Sequence, residues 1–379
     1  MKTISKLALV LMAMFTIACN RSQDIKMMTQ INNDGRSCIR CFYFHTDSVS
    51  LVNDPEVIVN DYLHVGKEWT RQWGFTDADS VYYDLPMSSK QYAEIQQELE
   101  RQGIDKRVED TVFVIATRHY KIVEEMSADL PLSLADAPLT ATSTLKKNFR
   151  WFYTDYHFCE TYASCDSVFS IPITDYVDKD MASYWFTGKP NLADGVPGAG
   201  MKEMLDNVEE RISQWLNANI ATEVYSQIIE RYDEVDNPPV SRERFIALRD
   251  SVMHSPAVRN MDIINDESKE GNYLCEYFHS DAYTPLVESE EMNKALEQRY
   301  AIYGALIGFN VQYGLSMPGH FTAIDHEPLR LTGEYLVPHD YTITASSRVI
   351  HPWAFVATLL FIIIPLFLFR RKRKDKPVR

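Results

Sequence analysis

The stretch VIHPWAFVATLLFIIIPLFLF at residues 349–369, followed at once by RRKRK at 370–374, decides the topology of this chain. The apolar part contains no Asp, Glu, Lys or Arg. At about 1.5 Å of rise per residue, a helix of this length crosses a hydrocarbon core of roughly 30 Å. We therefore predict a membrane-spanning helix over residues 351–369.

The residues at the two ends of this stretch predict its orientation. Trp353 suits the interface between membrane and water. Five consecutive bases close the other end: Arg370, Arg371, Lys372, Arg373 and Lys374. Because short basic segments stay in the cytoplasm, we expect residues 370–379 to form a cytoplasmic tail. The rest of the chain would then lie outside the cytoplasm, on the inner (cytoplasmic) membrane of a bacterium and facing the periplasm.

The beginning of the chain is typical of an exported protein. Residues 1–18 contain two lysines followed by a short apolar run, which is the pattern of a secretory signal peptide. The sequence TIAC at residues 16–19 is similar to a bacterial lipobox, in which the thiol of Cys19 takes a diacylglyceryl group. The alternative is an uncleaved signal anchor with an incidental cysteine. With a lipobox, residues 19–26 form a tether and residues 27–350 form the exported domain.

Length and charge limit what this domain does. The chain has 379 residues, which is enough for one large or two ordinary domains. The net charge is −15, and the two ends carry +2 and +6, which leaves −23 for the stretch between them. Such an acidic domain repels phosphate backbones, so we expect no nucleic-acid partner. Hydrophobic residues make up 45% of the chain and charged residues 24%, which excludes wholesale disorder.

Alternating and helical patterns predict an α+β domain with strands near both of its ends and helices between them. Strand patterns occur in a hairpin over 27–44 that turns at Asn32–Gly35, and in segments 111–123, 149–158, 167–173 and 309–350. Helix patterns occur at 54–64, 88–103, 201–235, 241–252 and 290–306. Residues 127–147 are predicted to be a loop, and a domain sub-boundary is possible near 190–200. We also expect strands from the two ends to pair.

Cysteines are the first candidates for chemistry. An oxidising compartment permits disulfides, and five intervening residues make a Cys159–Cys165 bridge reasonable. Cys38 and Cys41 have the spacing of a thioredoxin-like pair. However, that active site needs the first cysteine at the beginning of a helix, whereas here the pair lies in a predicted strand. We expect packed or paired cysteines and keep redox chemistry as the weaker alternative.

Histidines and glycines give weaker signals. His320, Asp325 and His326 could contribute to a metal site, although such a site needs three or four converging ligands. No phosphate-binding glycine loop occurs in the chain, and we expect no cofactor. The aromatic run Phe149–Tyr153 alternates like a strand, so we predict that it packs in the core rather than binding a glycan.

Several segments resemble membrane lipoproteins of Bacteroides and relatives. They are the lipobox-like start, Asn33-Asp34-Gly35, Phe149-Arg150-Trp151-Phe152-Tyr153, Pro172-Ile173-Thr174-Asp175-Tyr176, and Ser347-Arg348 before the apolar stretch. This resemblance implies a cell-envelope location and a shared exported domain. It implies no activity.

Together these observations predict a membrane-anchored envelope protein that contacts the lipid bilayer and binds another envelope protein without catalysis. The helices at 201–235 and 290–306 are the expected core and partner surfaces. One alternative is a periplasmic ligand or glycan binder. A less favoured alternative is an enzyme that uses thiol-redox or metal chemistry.

Overall fold

The fold is taken from a computed structural model of the chain. The structure describes residues 25–47, 58–60, 62–74, 82–103, 111–134, 137–192, 194–261, 272–324 and 329–374. Within these ranges the protein has a mixed α+β architecture, as the sequence predicts.

The first two strands form the predicted hairpin. Strand β1 (Ile25–Ile31) buries every second residue, and β2 (Cys38–Asp47) pairs with it antiparallel. The turn between them needs Gly35, whose φ is +61°. A Cβ atom at this position would also lie 2.1 Å from the Tyr156 ring. The turn therefore fits closely against the second sheet.

These strands belong to a seven-stranded sheet. The other members that precede the main helices are β5 (Thr70–Gly74), β6 (Tyr83–Asp84) and β7 (Thr111–Tyr120), which follow the small antiparallel pair β3 (Ile58–Asn60) and β4 (Leu63–Val65). Helix α1 (Ser89–Arg101) lies between β6 and β7, and Ser88 and Gln91 form a capping box at its beginning.

A second sheet contains four strands. After the short pair β8 (Ser133–Leu134) and β9 (Ala137–Pro138), strands β10 (Ala141–Phe149) and β11 (Tyr153–Tyr162) form a long antiparallel hairpin. Strand β11 buries every second side chain from Thr154 to Tyr162. Its buried face meets the buried face of β1 and β2.

Helices occupy the middle of the chain. They are α2 (Lys179–Thr187), α3 (Gly198–Glu230), α4 (Arg242–Ala247), α5 (Arg249–Met253), α6 (Pro256–Arg259), α7 (Asn272–Phe278), α8 (Thr284–Val287) and α9 (Glu290–Gly308). In α3, residues 217–225 are buried on every side, as in a helix that passes through a core. Its first half, residues 198–214, buries Val208 alone.

The last strands return to both sheets. They are β12 (Asn310–Ser316), β13 (His320–Ile324), β14 (Arg330–Thr332) and β15 (Tyr341–Ile350). Strand β12 pairs with β1 in parallel, so strands from the two ends of the domain pair as expected. The sheet orders are β14-β12-β1-β2-β7-β5-β6 and β10-β11-β15-β13. Buried residues before and after the possible sub-boundary at 190–200 belong to one continuous core.

Three local predictions are wrong. Residues 58–60 and 63–65 are paired strands rather than the end of a helix that starts at Asp54, and the start itself lies outside the described residues. The predicted loop at 127–147 contains most of β10, because pairing with β11 overrides the weak strand pattern. The predicted strand at 167–173 instead contains 3₁₀ turns that dock on α3, where Asn219 bonds the backbone N–H and C=O of Ile171.

The chain continues from β15 through a single residue, His351, into helix α10 (Pro352–Lys374). Within it, Pro352–Arg370 is long and apolar enough to cross a membrane, and 6% of its most apolar stretch is buried against the protein.

Candidate functional site

The most unusual buried feature is an ion pair between the two sheets. Arg40 on β2 and Glu160 on β11 are fully buried, and Arg40 Nη2 lies 2.7 Å from Glu160 Oε1. Both residues occupy positions on strand faces that are otherwise largely apolar, between Cys38 and Phe42 and between Phe158 and Tyr162. The pair is not among the residues predicted from the sequence, although a charge within an alternating apolar face was a readable signal.

Four donors surround the Glu160 carboxylate. Oε1 accepts from Arg40 and from Ser143 Oγ at 2.8 Å. Oε2 accepts from the hydroxyl groups of Tyr313 at 2.8 Å and Tyr162 at 3.0 Å. Arg40 Nε and Nη2 also donate to Thr29 Oγ1 at 3.2 and 3.0 Å. The network therefore joins β1, β2, β10, β11 and β12.

The pKa shifts in this network favour an ionised Glu160 and neutral hydroxyl groups on Tyr162 and Tyr313. Burial opposes ionisation of Glu160, but the charge of Arg40 and the donated hydrogen bonds outweigh it and lower the pKa of the carboxyl. Burial, followed by the negative charge of Glu160, raises the pKa of Tyr162 and Tyr313 well above its ordinary value. Glu160 is thus a charged acceptor whose oxygens are saturated by donors, which suits a structural cross-link better than proton transfer.

The cysteines of the described chain are all free: Cys38, Cys41, Cys159, Cys165 and Cys275. The predicted Cys159–Cys165 bridge is not formed. Cys159 lies on the face of β11 opposite to its buried residues, whereas Cys165 is buried beyond the end of the strand.

The redox candidates are also separated. Cys38 is buried and Cys41 is half-buried, because residues three apart in β2 face opposite sides of the sheet. Burial raises the pKa of Cys38 to about 12, which is opposite to the lowered pKa of a reactive thiol. The geometry therefore argues against a thioredoxin-like pair.

The metal candidates are described only in part. His320 is exposed on β13, while Asp325 and His326 lie outside the described residues. Among the residues that the structure describes, no three His, Cys, Asp or Glu side chains come together as a metal site would require.

The second unusual feature lies where the domain meets α10. The rings of Trp151 and Trp353 are in T-shaped contact at 5.2 Å, and those of Phe152 and Phe355 lie 4.7 Å apart. The Trp151 indole donates to Thr358 Oγ1 at 2.9 Å. The prediction that the aromatic run at 149–153 packs in the core is therefore wrong, because the run forms the exposed tip of the β10–β11 hairpin beside α10.

An ion pair supports the same end of the domain. Arg348 on β15 donates to both carboxylate oxygens of Asp155, at 2.7 and 3.2 Å, and its guanidinium lies 3.9 Å from the centre of the Tyr153 ring. These hydrogen bonds lower the pKa of Asp155. The contact joins the beginning of β11, just after the hairpin turn, to β15, the strand that leads into α10.

The predicted membrane residues lie at the two ends of α10. Trp353 is half exposed in its first turn. Arg370, Arg371, Lys372, Arg373 and Lys374 continue the helix, which is described to Lys374. The signal peptide and Cys19 lie outside the described residues.

Comparison with protein families, with curated protein sequences and with solved structures found no match for this chain. The class of this protein is therefore defined by its fold alone. It is a mixed α+β domain that continues directly into one apolar helix.

Proposed function

We propose that this chain is a single-pass membrane protein whose α+β domain lies outside the cytoplasm and binds another envelope protein without catalysis. The observation that carries the proposal is the apolar helix α10, which follows β15 after one residue and is largely uncovered by the rest of the protein. A helix that is apolar on all sides and is not buried in protein suits a lipid environment.

The orientation follows from the ends of the helix. Five bases end α10, and Trp353 lies in its first turn. The preference of basic segments for the cytoplasm then favours a periplasmic domain on the inner membrane of a bacterium. A signal peptide and acylated Cys19 agree with this topology, as does the resemblance to membrane lipoproteins of Bacteroides and relatives.

The internal chemistry supports binding rather than catalysis. The Glu160 carboxylate is saturated by donors, and the Cys38 thiol is buried with a raised pKa. The exposed rings of Trp151 and Phe152 pack against α10, so they do not favour the glycan-binding alternative.

The first half of α3 is the candidate surface for the protein partner. The core covers the second half of α3 and one side of α9, including Leu296 and Tyr300. Residues 198–214 are mainly exposed, and their exposed acids outnumber their exposed bases, Lys202 and Arg211; the acids are Glu203, Asp206, Glu209 and Glu210. This charge suits a partner with a basic surface.

Photo-crosslinking in intact cells tests this function. Benzoylphenylalanine in place of Glu209 is expected to capture a discrete envelope protein. The same group in place of Gln97, which is exposed on α1, is the matched control and should not capture it. Recovery of no specific protein from position 209, or of the same protein from both positions, would rule out this surface as the partner site.

A further inference from the structure

The tip of the β10–β11 hairpin exposes three large apolar rings. Arg150 N donates to Tyr153 O at 2.7 Å and closes the turn. The exposed fractions of the side chains are 59% for Phe149, 45% for Trp151 and 37% for Phe152. Clustered exposed apolar rings usually mark a surface that is covered by something other than water.

The tip is held at a defined height along α10. Trp151 contacts Trp353 in the first turn of the helix and donates to Thr358. Thr358 lies six residues after Pro352, which is about 9 Å along the helix axis at 1.5 Å per residue. Trp151 therefore lies beside the apolar part of the helix, not above it.

Backbone contacts make the tip and the helix start one rigid unit. His351 N donates to Phe152 O at 2.8 Å, and its Nε2 lies 2.8 Å from Thr154 Oγ1. Phe149 packs edge-on against the His351 ring at 5.4 Å. If α10 enters a bilayer, these contacts bring the tip with it.

We infer that the tip, residues 149–152, is a second membrane contact that inserts into the interface of the bilayer crossed by α10. This inference rests on the proposed membrane-spanning role of the helix. Tryptophan favours the level of the lipid headgroups, because its side chain has an apolar ring and a polar N–H group. Two exposed bases, Lys146 before the rings and Arg150 between them, suit lipid phosphates.

The consequence is a fixed orientation of the domain. A helix without these hairpin contacts would let the domain swing about residue 351. Contact at a helix and at a hairpin beside it holds the second sheet close to the membrane surface. The first half of α3 is then presented to its partner in one orientation relative to the membrane.

The occupant is testable by photo-crosslinking of the full chain in vesicles of phosphatidylethanolamine and phosphatidylglycerol. Benzoylphenylalanine replaces Trp151 in one variant and Phe149 in a second, which keeps the Trp151 contacts. Ile362 in the middle of α10 is the membrane control, and Gln97 on α1 is the aqueous control. Mass spectrometry then shows which of the four variants gains the mass of one phospholipid.

We expect a mass shift of one phospholipid at positions 149, 151 and 362 and none at position 97. A mass shift at position 362 with none at either position 149 or position 151 would overturn the inference, while the proposed membrane-spanning role of α10 would stand. No shift at position 362 would overturn both. A covalent dimer at position 151 in place of the lipid adduct would assign the tip to a second copy of the chain and would also overturn the inference.

Discussion

At one end of strand β11, Glu160 and Tyr162 lie inside the protein and are hydrogen-bonded to each other, whereas just before its other end Trp151 and Phe152 leave their rings exposed. One end of β11 thus carries polar groups in the core, whereas apolar rings are exposed beside its other end, where an apolar helix begins. The first arrangement requires every charge to have a partner, since an uncompensated buried charge is costly. The second requires an environment that accepts rings, and we propose that the bilayer provides it.

The same strand also carries two ion pairs that differ in their surroundings. Glu160 and Arg40 are fully buried, while Asp155 and Arg348 on the outer face are partly exposed. Desolvation makes the loss of one partner severe in the first pair, and water screens the second. Mutations along β11 can therefore test whether burial determines how much stability is lost when each ion pair is broken.

The largest effect is expected from Glu160→Gln. Arg40 would remain buried without an anionic partner, and breaking a buried pair in this way costs about 3–5 kcal/mol of unfolding free energy. The measurement is thermal and urea unfolding of the full chain in detergent micelles, followed by circular dichroism. The Arg40→Met variant should be destabilised by a similar amount.

The double variant Arg40→Met, Glu160→Gln is the control for this pair. Removing both charges should cost less than the sum of the two single changes, because no buried charge is left alone. Strict additivity would show that the two side chains are not energetically coupled and would contradict the description of the network.

The architecture was predictable from the sequence where the signals are local. The Asn32–Gly35 turn between alternating segments gives the first hairpin, and Ser88 with Gln91 gives the beginning of α1. Strand β10 was not predictable in this way, because its second half, with Lys146 and Lys147, is exposed at an edge of the sheet. Its position depends on pairing with β11.

The candidate site depends on contacts between distant residues. Arg40 and Glu160 are separated by 120 positions in the chain, so no spacing pattern predicts that they meet. The alternation around each one indicates only that a charge faces the core. Likewise, the run at Phe149–Tyr153 has the composition of a buried strand, but it is exposed because it forms the tip of the β10–β11 hairpin, where its rings meet the distant helix α10.

An intermediate effect is expected from pH. Because folding lowers the pKa of Glu160, the stabilisation is fully present above the ordinary glutamate pKa of about 4.3 and is lost as the pH falls through the lower folded-state value. The melting temperature of the wild type should thus fall more steeply than that of Glu160→Gln as the pH is lowered below about 4.3. Other carboxyl groups with lowered pKa, such as Asp34 and Asp155, are shared by both proteins and largely cancel in this comparison. Parallel curves would contradict an ionised Glu160.

The smallest effect is expected from Asp155→Asn at the exposed end of β11. Arg348 would lose its charged partner, but it would remain in contact with water and over the Tyr153 ring. The melting temperature should therefore fall much less than in Glu160→Gln, and added salt should reduce the wild-type advantage because exposed pairs are screened. Thermal unfolding of both variants at low and high salt makes the comparison. If Asp155→Asn were as damaging as Glu160→Gln and insensitive to salt, burial would not be what separates the two pairs. The end of the strand beside α10 would then depend on its ion pair as strongly as the core does.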